Sequence, residues 1–444
     1  MPGSSMPSLL VGRPHGWSTP GDIDGQRLER FLAFGVDMHV SSAQRTLDDA
    51  ASARRRWVDT HGLLDPDDDT LAQLLRTCVE MALAVARRRA PHATLTMGLS
   101  GGYDSRPLLW SLHELGERPY LYTFGQPGNI DFDLIDVIDE QLDLGVEMID
   151  SNSLTWSLDD FDAEAAVTSD LPLSPRVAAG RRIDDTVGAR IEVHGFLNGA
   201  RSGASTAVEL LAPEQQVDAF LAANNPFGFQ AMLGPEHVRA LLPMHVVDEQ
   251  RGLSTYRQLD LAFRQWQRIK LPSRPGREYA YPYAESAWQG FWLTRPPEQL
   301  EGQSRWLRFV RSVPPRYFPD LAGIEGHRSV TRRARLERLY SGSHAWRAVP
   351  PGISAPRNPT HHFCLRATAQ NNSSFSAMLT ESLRRLRGRQ VVDAALIDRV
   401  EQRFAADDAT AARMMNGLVT LDTCLESGRF SRDHDSTTHS RGGA

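Results

Sequence analysis

A short apolar run, Thr94-Leu-Thr-Met-Gly-Leu99, passes with no linker into Ser100-Gly101-Gly102-Tyr103-Asp104-Ser105 and then into a stretch with helical spacing. Nothing else in the chain limits its possible folds so strongly. An apolar run of this length, bounded by a turn, reads as a strand buried on both faces. Adjacent glycines leave no side chain between the backbone amides and a ligand. Successive N–H groups then form an anion-binding nest, and the helix that follows adds its positive end. Ser100 and Ser105 supply hydroxyl donors. Asp104 is a poor neighbour for a bare phosphate and fits better as a ligand for Mg²⁺ carried on that phosphate. With a strand before it and a helix after it, the segment reads as a phosphate site rather than an ordinary glycine turn.

The surrounding pattern predicts an α/β fold. Strands are expected at 94–99, 120–124, 146–149 and 191–194, with helices at 107–115 and 131–144 between the first three. Strand, helix, strand, helix, strand is the signature of a parallel twisted sheet with helices on both faces. Upstream, Leu28, Phe31, Leu32 and Phe34 lie at helical spacing and stop at Gly35. Thr70 opens a second helix, with Leu71, Leu74, Leu75, Cys78, Met81, Ala82 and Val85 as its apolar stripe and Pro91 as its stop. Residues 36–69 read as polar surface, including Arg54-Arg55-Arg56 and the acidic turn 65–69, and the stretch up to Ile183 reads as irregular. From about 206 onward the patterns are mostly helical, interrupted by a Pro-rich segment at 272–297 and a polar one at 340–361. A closing helical pair is expected over 395–430, with Ile397, Val400 and Phe404 on one face and Met414, Leu418, Leu421 and Leu425 on the other. The expected units are a loose arm with a residual helix (1–69), an ATP-binding α/β core (70–205), a mostly helical part (206–430) and a disordered tail (431–444).

Composition narrows the function. The chain has 444 residues and a net charge of −6, which points away from a nucleic-acid backbone as partner. Cys78, Cys364 and Cys424 are far apart and odd in number, so a disulfide framework is not expected and a reducing cytoplasm fits. No apolar run approaches the roughly 20 residues of a membrane helix, and the N-terminus lacks the order of a signal peptide. Lys270 is the only lysine. His361-His362 reads as a surface loop rather than a metal pair, and Trp288 and Trp292, four apart, read as core. Tyr281 and Tyr283 either line an acceptor pocket or pack beside it.

On these residues the chain resembles the N-type ATP pyrophosphatases, whose loop of this kind is the PP-loop, and in particular the synthetase domain of asparagine and β-lactam synthetases. The loop 100–105 carries most of the likeness. Phe31-Leu-Ala-Phe-Gly35, Tyr122-Thr-Phe-Gly125 with Asp131 and Asp133, His194-Gly-Phe-Leu-Asn-Gly-Ala-Arg-Ser-Gly203 and Tyr281-Pro-Tyr-Ala-Glu285 extend it over roughly residues 28–430. The resemblance implies an adenine nucleotide α-hydrolase-like sheet that binds ATP at its carboxyl edge. Leu99, Thr123, Phe124 and Gly125 would hold the adenine. Ser100, Gly101, Gly102, Asp104 and Ser105 would hold the pyrophosphate, Asp104 through Mg²⁺, with Gly195 in a second glycine loop. A carboxylate would attack the α-phosphate to give an acyl-adenylate, and an amine would displace AMP to form an amide or lactam on a small specialised metabolite or peptide. Glu285 is a candidate catalytic residue. No nucleic acid or membrane is implied; a partner subunit or a homodimer is compatible.

Three departures from that family matter. Residue 2 is Pro, and the chain before Phe31 is too short for the usual N-terminal glutaminase domain, so the amine is expected from a source other than glutamine hydrolysis. The second loop reads Asn198-Gly199 where relatives carry Gly-Asp, which removes a second Mg²⁺ carboxylate, and Phe196 stands where they carry Glu or Tyr. Relatives also place a lysine near the α-phosphate, downstream of the 281–285 segment. Here only arginines stand in that stretch: Arg305, Arg308 and Arg311, then Arg328, Arg332 and Arg333. One of these, Arg305 or Arg308 first, would carry the phosphate contact; Lys270 from the other wall is the alternative. An active ligase with a retuned site and a degenerate nucleotide-binding homologue both remain open, as does other PP-loop chemistry such as sulfur transfer.

Overall fold

The computed structural model describes residues 23–36, 40–63, 65–166, 173–198, 206–265, 276–295, 304–318 and 364–430. Its centre is one sheet of five parallel strands: β1 (Thr94–Gly98), β2 (Tyr120–Gly125), β3 (Glu147–Asp150), β4 (Arg190–Val193) and β5 (Arg277–Ala280), in the order β3-β2-β1-β4-β5. The four strands read from sequence are all present. The fifth lies inside the segment read as an interruption of helices. Its sequence, Arg-Glu-Tyr-Ala, lacks the apolar run expected of a buried strand because it carries charges that are neutralised inside the protein.

Helices cover both faces. On one face lie α3 (Asp68–Arg89), α4 (Ser105–Glu114) and α5 (Ile130–Leu142), packed on Leu95, Met97, Leu121, Ile191 and Val193. On the other lie α6 (Leu158–Ala165) and α7 (Pro175–Val187), in the stretch read as irregular, with the C-terminal helices Ser373–Arg389, Ala394–Ala405 and Ala409–Glu426 behind them. The closing helical pair is therefore as expected: Ile397, Val400, Met414, Leu418 and Leu421 are buried, and Phe404 and Leu425 are half-buried.

Local sequence explains the helix limits. In α1 (Gly25–Phe34), the Asp24 carboxylate accepts from the Gln26 and Arg27 amides, and Gly35 ends the helix at φ 72°, a left-handed conformation that glycine adopts without strain. A Cβ at Gly35 would also meet Pro226 Cγ at 2.5 Å. Asp67 caps α3 by accepting from the Thr70 amide; Asp68 and Asp69 in the first turn and Arg87, Arg88 and Arg89 in the last complement the helix dipole. The buried stripe of α3 differs from the one read in sequence. Met81 and Val85 are exposed, and Val79, Leu83 and Ala86 are inside, because the true helical period rotates the stripe away from them.

Residues 36–69 are not simply polar surface. They contain α2 (Val40–His61), whose inner face is Ala43, Leu47, Ala50, Ala51, Ala53 and Trp57. Alanines add little hydrophobic signal to a sequence pattern, but they let backbones approach closely. The helix Ser286–Thr294 uses that closeness: a Cβ on Gly290 would lie 2.6 Å from the Ala53 carbonyl oxygen. Trp288 and Trp292 are fully buried core, as expected, meeting edge to face at 5.9 Å. Arg55 and Arg56 are exposed and Arg54 is half-buried. Among the described residues, no helix is long and apolar enough to cross a membrane.

Candidate functional site

Strand order reverses between β1 and β4, and in open α/β sheets ligands bind beyond the carboxyl ends of the strands at that point. The first glycine-containing segment singled out from sequence sits there, as does the described part of the second, up to Asn198. The first follows β1 directly, and α4 begins at Ser105. The second follows β4, and a Cβ on Gly195 would come within 3.8 Å of Asp104 Cβ. β1 and β2 are last paired at Gly98 and Tyr122, so Thr123, Phe124 and Gly125 run past the end of β1 beside Leu99. Leu99 is still tied to β2, its amide donating to the Tyr122 carbonyl at 2.8 Å.

Ser105 closes the loop on itself. Its Oγ donates to the Ser100 carbonyl at 3.1 Å and lies 3.4 Å from the Ser100 hydroxyl. Neither Gly101 nor Gly102 has a positive φ, so what they contribute is the missing side chain rather than a left-handed turn. Asp104 stands at the N-cap of α4, yet its carboxylate makes no capping bond. It turns instead to the second loop, where Asn198 Nδ2 donates to its Oδ1 at 3.0 Å, and Tyr283 OH donates to its backbone carbonyl at 2.8 Å. Asn198 Oδ1 in turn accepts from Trp288 Nε1 at 3.3 Å. An amide can donate to one neighbour and accept from another, and Asn198 does both here. Leu197, beside it, holds φ 69°, a conformation that costs a non-glycine residue roughly 1–2 kcal/mol; its side chain is buried, and its carbonyl accepts from Gln289 at 3.3 Å.

Arg106 brings a cation to the loop that the sequence reading passed over. It lies over the Tyr103 ring, 5.0 Å from the centroid, and burial pushes its guanidinium down to about 10, still charged at neutral pH. No group of three or more His, Cys, Asp or Glu residues with metal-binding geometry occurs among the described residues. Asp104 alone matches the demand of Mg²⁺ held mainly by phosphates and water, which needs one or two protein carboxylates.

A second feature lies beneath the carboxyl edge, on the face covered by α7. Thr96, Gly98, Tyr122, Arg190, Glu192, Arg277 and Tyr279 make a largely polar interior there. Tyr122 reaches across β1 to donate to Glu192 Oε1 at 2.6 Å, and Arg190 Nη1 donates to Glu192 Oε2 at 2.6 Å. Arg190 also meets Asp184 at 2.7 Å, and Arg277 pairs with Asp184 and, at 3.5 Å, with Glu164. His194 Nε2 is 2.9 Å from Glu192 Oε1, at ion-pair distance though not aligned as a hydrogen bond. Burial alone would push the Glu192 carboxyl up, but His194, Arg190 and Tyr122 together hold it well below the usual carboxylate range. Burial and the Glu192 charge push the Tyr122 hydroxyl well above its ordinary value. Nothing in the sequence marked this network except its unusual composition: charged residues on β4 and on its edge neighbour β5.

The sequence candidates divide as follows. Leu99, Ser100, Gly101, Gly102, Asp104, Ser105 and Gly195 come together at one place, bordered by Thr123, Phe124 and Gly125. The Gly125 carbonyl is already engaged by the Ser151 amide and hydroxyl, at 2.7 and 2.8 Å. Glu285 stands, half-buried, at the N-cap of the helix Ser286–Thr294 without a side-chain capping bond; burial raises its carboxyl above the ordinary range, and its charge acts on buried Cys78. Arg308 is exposed and faces Asp65 and Asp68 at 3.6 and 3.9 Å. Lys270, Arg328, Arg332, Arg333, His361 and His362, and the side chain of Arg305, lie outside the described residues. Tyr283 packs under the loop, and Tyr281 stacks on His194 at 5.7 Å. No protein-family model matches this chain, and no curated protein does.

Proposed function

We propose that the chain is an ATP-dependent, AMP-forming ligase that activates a carboxylate as its acyl-adenylate and passes the acyl group to an amine. The observation that carries this reading is the Ser100–Ser105 loop at the switch point of a parallel sheet, with Asp104 braced by Asn198 and Tyr283. The amides of a glycine loop at a helix start suit a pyrophosphate leaving group. Gly101 and Gly102 let those amides approach it. In the first step a carboxylate oxygen bonds to the α-phosphorus, and the bond from that phosphorus to the β-bridging oxygen breaks, with pyrophosphate taking the electron pair. Asp104 would hold Mg²⁺, which neutralises charge on the phosphates. Arg106, charged and fixed beside the loop, adds a positive field without moving. In the second step the amine displaces AMP. Such chemistry needs positioning and charge stabilisation more than covalent participation by the protein.

Sulfur transfer by Cys78 or Cys424 is disfavoured. Cys78 is buried and its thiol is pushed up to about 12, chiefly by burial, and Cys424 is buried as well. Cys78, Cys364 and Cys424 form no disulfide with one another, which suits a reducing compartment, the cytoplasm. The test is exchange of labelled pyrophosphate into ATP in the presence of pooled amino acids and dicarboxylic acids, with the nucleotide product identified. AMP and exchange are expected. ADP as product would refute the reading, and ATP binding with no turnover on any carboxylate would leave a nucleotide-binding homologue.

A further inference from the structure

We propose that His194 is the general base that takes the proton from the acceptor amine, with Glu192 as its positioning residue; the proposal rests on the ligase reading above. The acceptor step poses a chemical problem. An ammonium group has no lone pair to attack an acyl carbon, and the groups first considered cannot remove its proton: Phe196 has no titratable atom, and arginine stays protonated. A base is needed at the carboxyl edge.

His194 is the residue placed to serve. It is the first residue after β4, its amide donating to the Ala280 carbonyl at 2.9 Å, and it precedes Gly195, which packs against Asp104. The ring is fixed in a stack. Phe196 lies 4.8 Å away at 6°, with Tyr279 at 5.6 Å and Tyr281 at 5.7 Å. Nε2 faces the Glu192 carboxylate at 2.9 Å, and Nδ1 has no hydrogen-bond partner among the described residues. Its side chain is 13 % exposed, so it is largely enclosed but not sealed. The neighbouring groups complete the electrostatics. Glu192 is a fixed negative charge, held by Arg190 and Tyr122. Tyr122, Tyr279 and Tyr281 have hydroxyls pushed up by burial and stay neutral. Arg176, Arg277 and Glu164 lie further out on the same face. A carboxylate against one ring nitrogen and aromatic rings on both sides hold the imidazole in one orientation, with Nδ1 left to act. The Tyr281 hydroxyl, buried with no hydrogen-bond partner among the described residues, offers a polar contact beside it.

The step balances without an added reactant. His194 Nδ1 takes a proton from the ammonium; the freed nitrogen bonds to the acyl carbon; the bond from that carbon to the AMP phosphate oxygen breaks, and AMP leaves with the electron pair. The second amine proton passes to the departing phosphate or to water, and His194 returns its own proton to solvent.

The test separates the two half-reactions and uses two amine probes: ammonium chloride, protonated at neutral pH, and hydroxylamine, neutral there. His194→Gln retains an amide nitrogen for Glu192, and His194→Asn keeps a polar atom near the position of Nδ1, so if one variant folds poorly the other serves. With a carboxylate that supports pyrophosphate exchange in the unaltered protein, H194Q is expected to keep exchange within about threefold and to lose about 10²-fold or more of amide formation from ammonia. Transfer to hydroxylamine should fall at least tenfold less. Glu192→Gln should show the same split, more weakly. Ammonia transfer within threefold of the unaltered rate in H194Q would overturn the proposal, as would equal loss of exchange and transfer, or equal loss toward both amines. Absence of exchange in the unaltered protein would instead count against the ligase reading.

Discussion

Gly98 ends β1 immediately before Leu99 and the loop, and its role can be tested by adding one methyl group. A Cβ there would lie 3.3 Å from Tyr122 Cζ, 3.3 Å from its hydroxyl oxygen and 3.4 Å from Cε2. Each contact requires the ring to give by a few tenths of an ångström. The ring is pinned, however: it is 3 % exposed and its hydroxyl donates to Glu192 at 2.6 Å. A hydrogen bond to a buried charge contributes about 1.5–3 kcal/mol. Against any partial loss of it stands the ordinary gain of about 0.5–1 kcal/mol when glycine in a strand becomes alanine. Gly98→Ala is therefore expected to destabilise the protein by about 1–2 kcal/mol. In a Tyr122→Phe background the ring no longer has to meet Glu192, and the same substitution should be neutral or slightly stabilising. Urea unfolding of the four proteins in the cycle gives the coupling directly, and about 1 kcal/mol or more is expected. If Gly98→Ala stabilises the protein with Tyr122 intact, or costs the same in both backgrounds, Gly98 does not serve to let Tyr122 across.

Asp104→Asn, nearly the same shape, should abolish Mg²⁺-dependent pyrophosphate exchange while leaving the unfolding midpoint almost unchanged, and Gly102→Val should block ATP binding in calorimetry; wild-type rates in both would move the phosphate site elsewhere. Glu192 has a depressed carboxyl in the folded protein, so its contribution to stability is present above its ordinary value of 4.5 and is lost as pH falls through the folded value. The stability gap between the unaltered protein and Glu192→Gln should accordingly shrink as pH falls below about 4.5, and a gap that persists undiminished well below that pH would refute the assignment. Gly290→Ala should cost about 1–3 kcal/mol by denaturant unfolding, since its Cβ would sit 2.6 Å from the Ala53 carbonyl oxygen; a neutral result would mean that α2 and the helix Ser286–Thr294 can part at little cost.

Much of the α/β core was legible because its signals are local. An apolar run followed by two glycines and a glycine after α1 each act within a few residues, and each falls where sequence placed it, whereas α3 starts two residues before Thr70, capped by Asp67 from the stretch read as an acidic turn. The same holds for the closing helices, whose stripes depend only on helical period. α2 and β5 were not legible, for opposite reasons. The buried face of α2 is mostly alanine, which carries little hydrophobic signal until a neighbouring backbone comes close enough to use its small size. β5 carries Arg277 and Glu278, which read as surface until Asp184 and Glu164 are brought to the first of them from α7 and α6.

The candidate site divides along the same line. Sequence by itself determined the loop, because a phosphate nest needs only consecutive backbone amides, two missing side chains and a helix start. Tertiary structure decided what surrounds it. Asn198, Tyr283 and Trp288 are 94, 179 and 184 residues from Asp104, and only the sheet order brings them under it. Glu192 on β4 and His194 just after its end are two residues apart, a spacing that puts both side chains on one face of an extended chain. Their partners make the pair more than a pattern. Tyr122 arrives from β2 across a strand that lacks a side chain at Gly98, and the ring of Tyr281 arrives from beyond β5. Burying a carboxylate is unfavourable unless such groups converge on it. Their convergence depends on chain segments that no local rule connects.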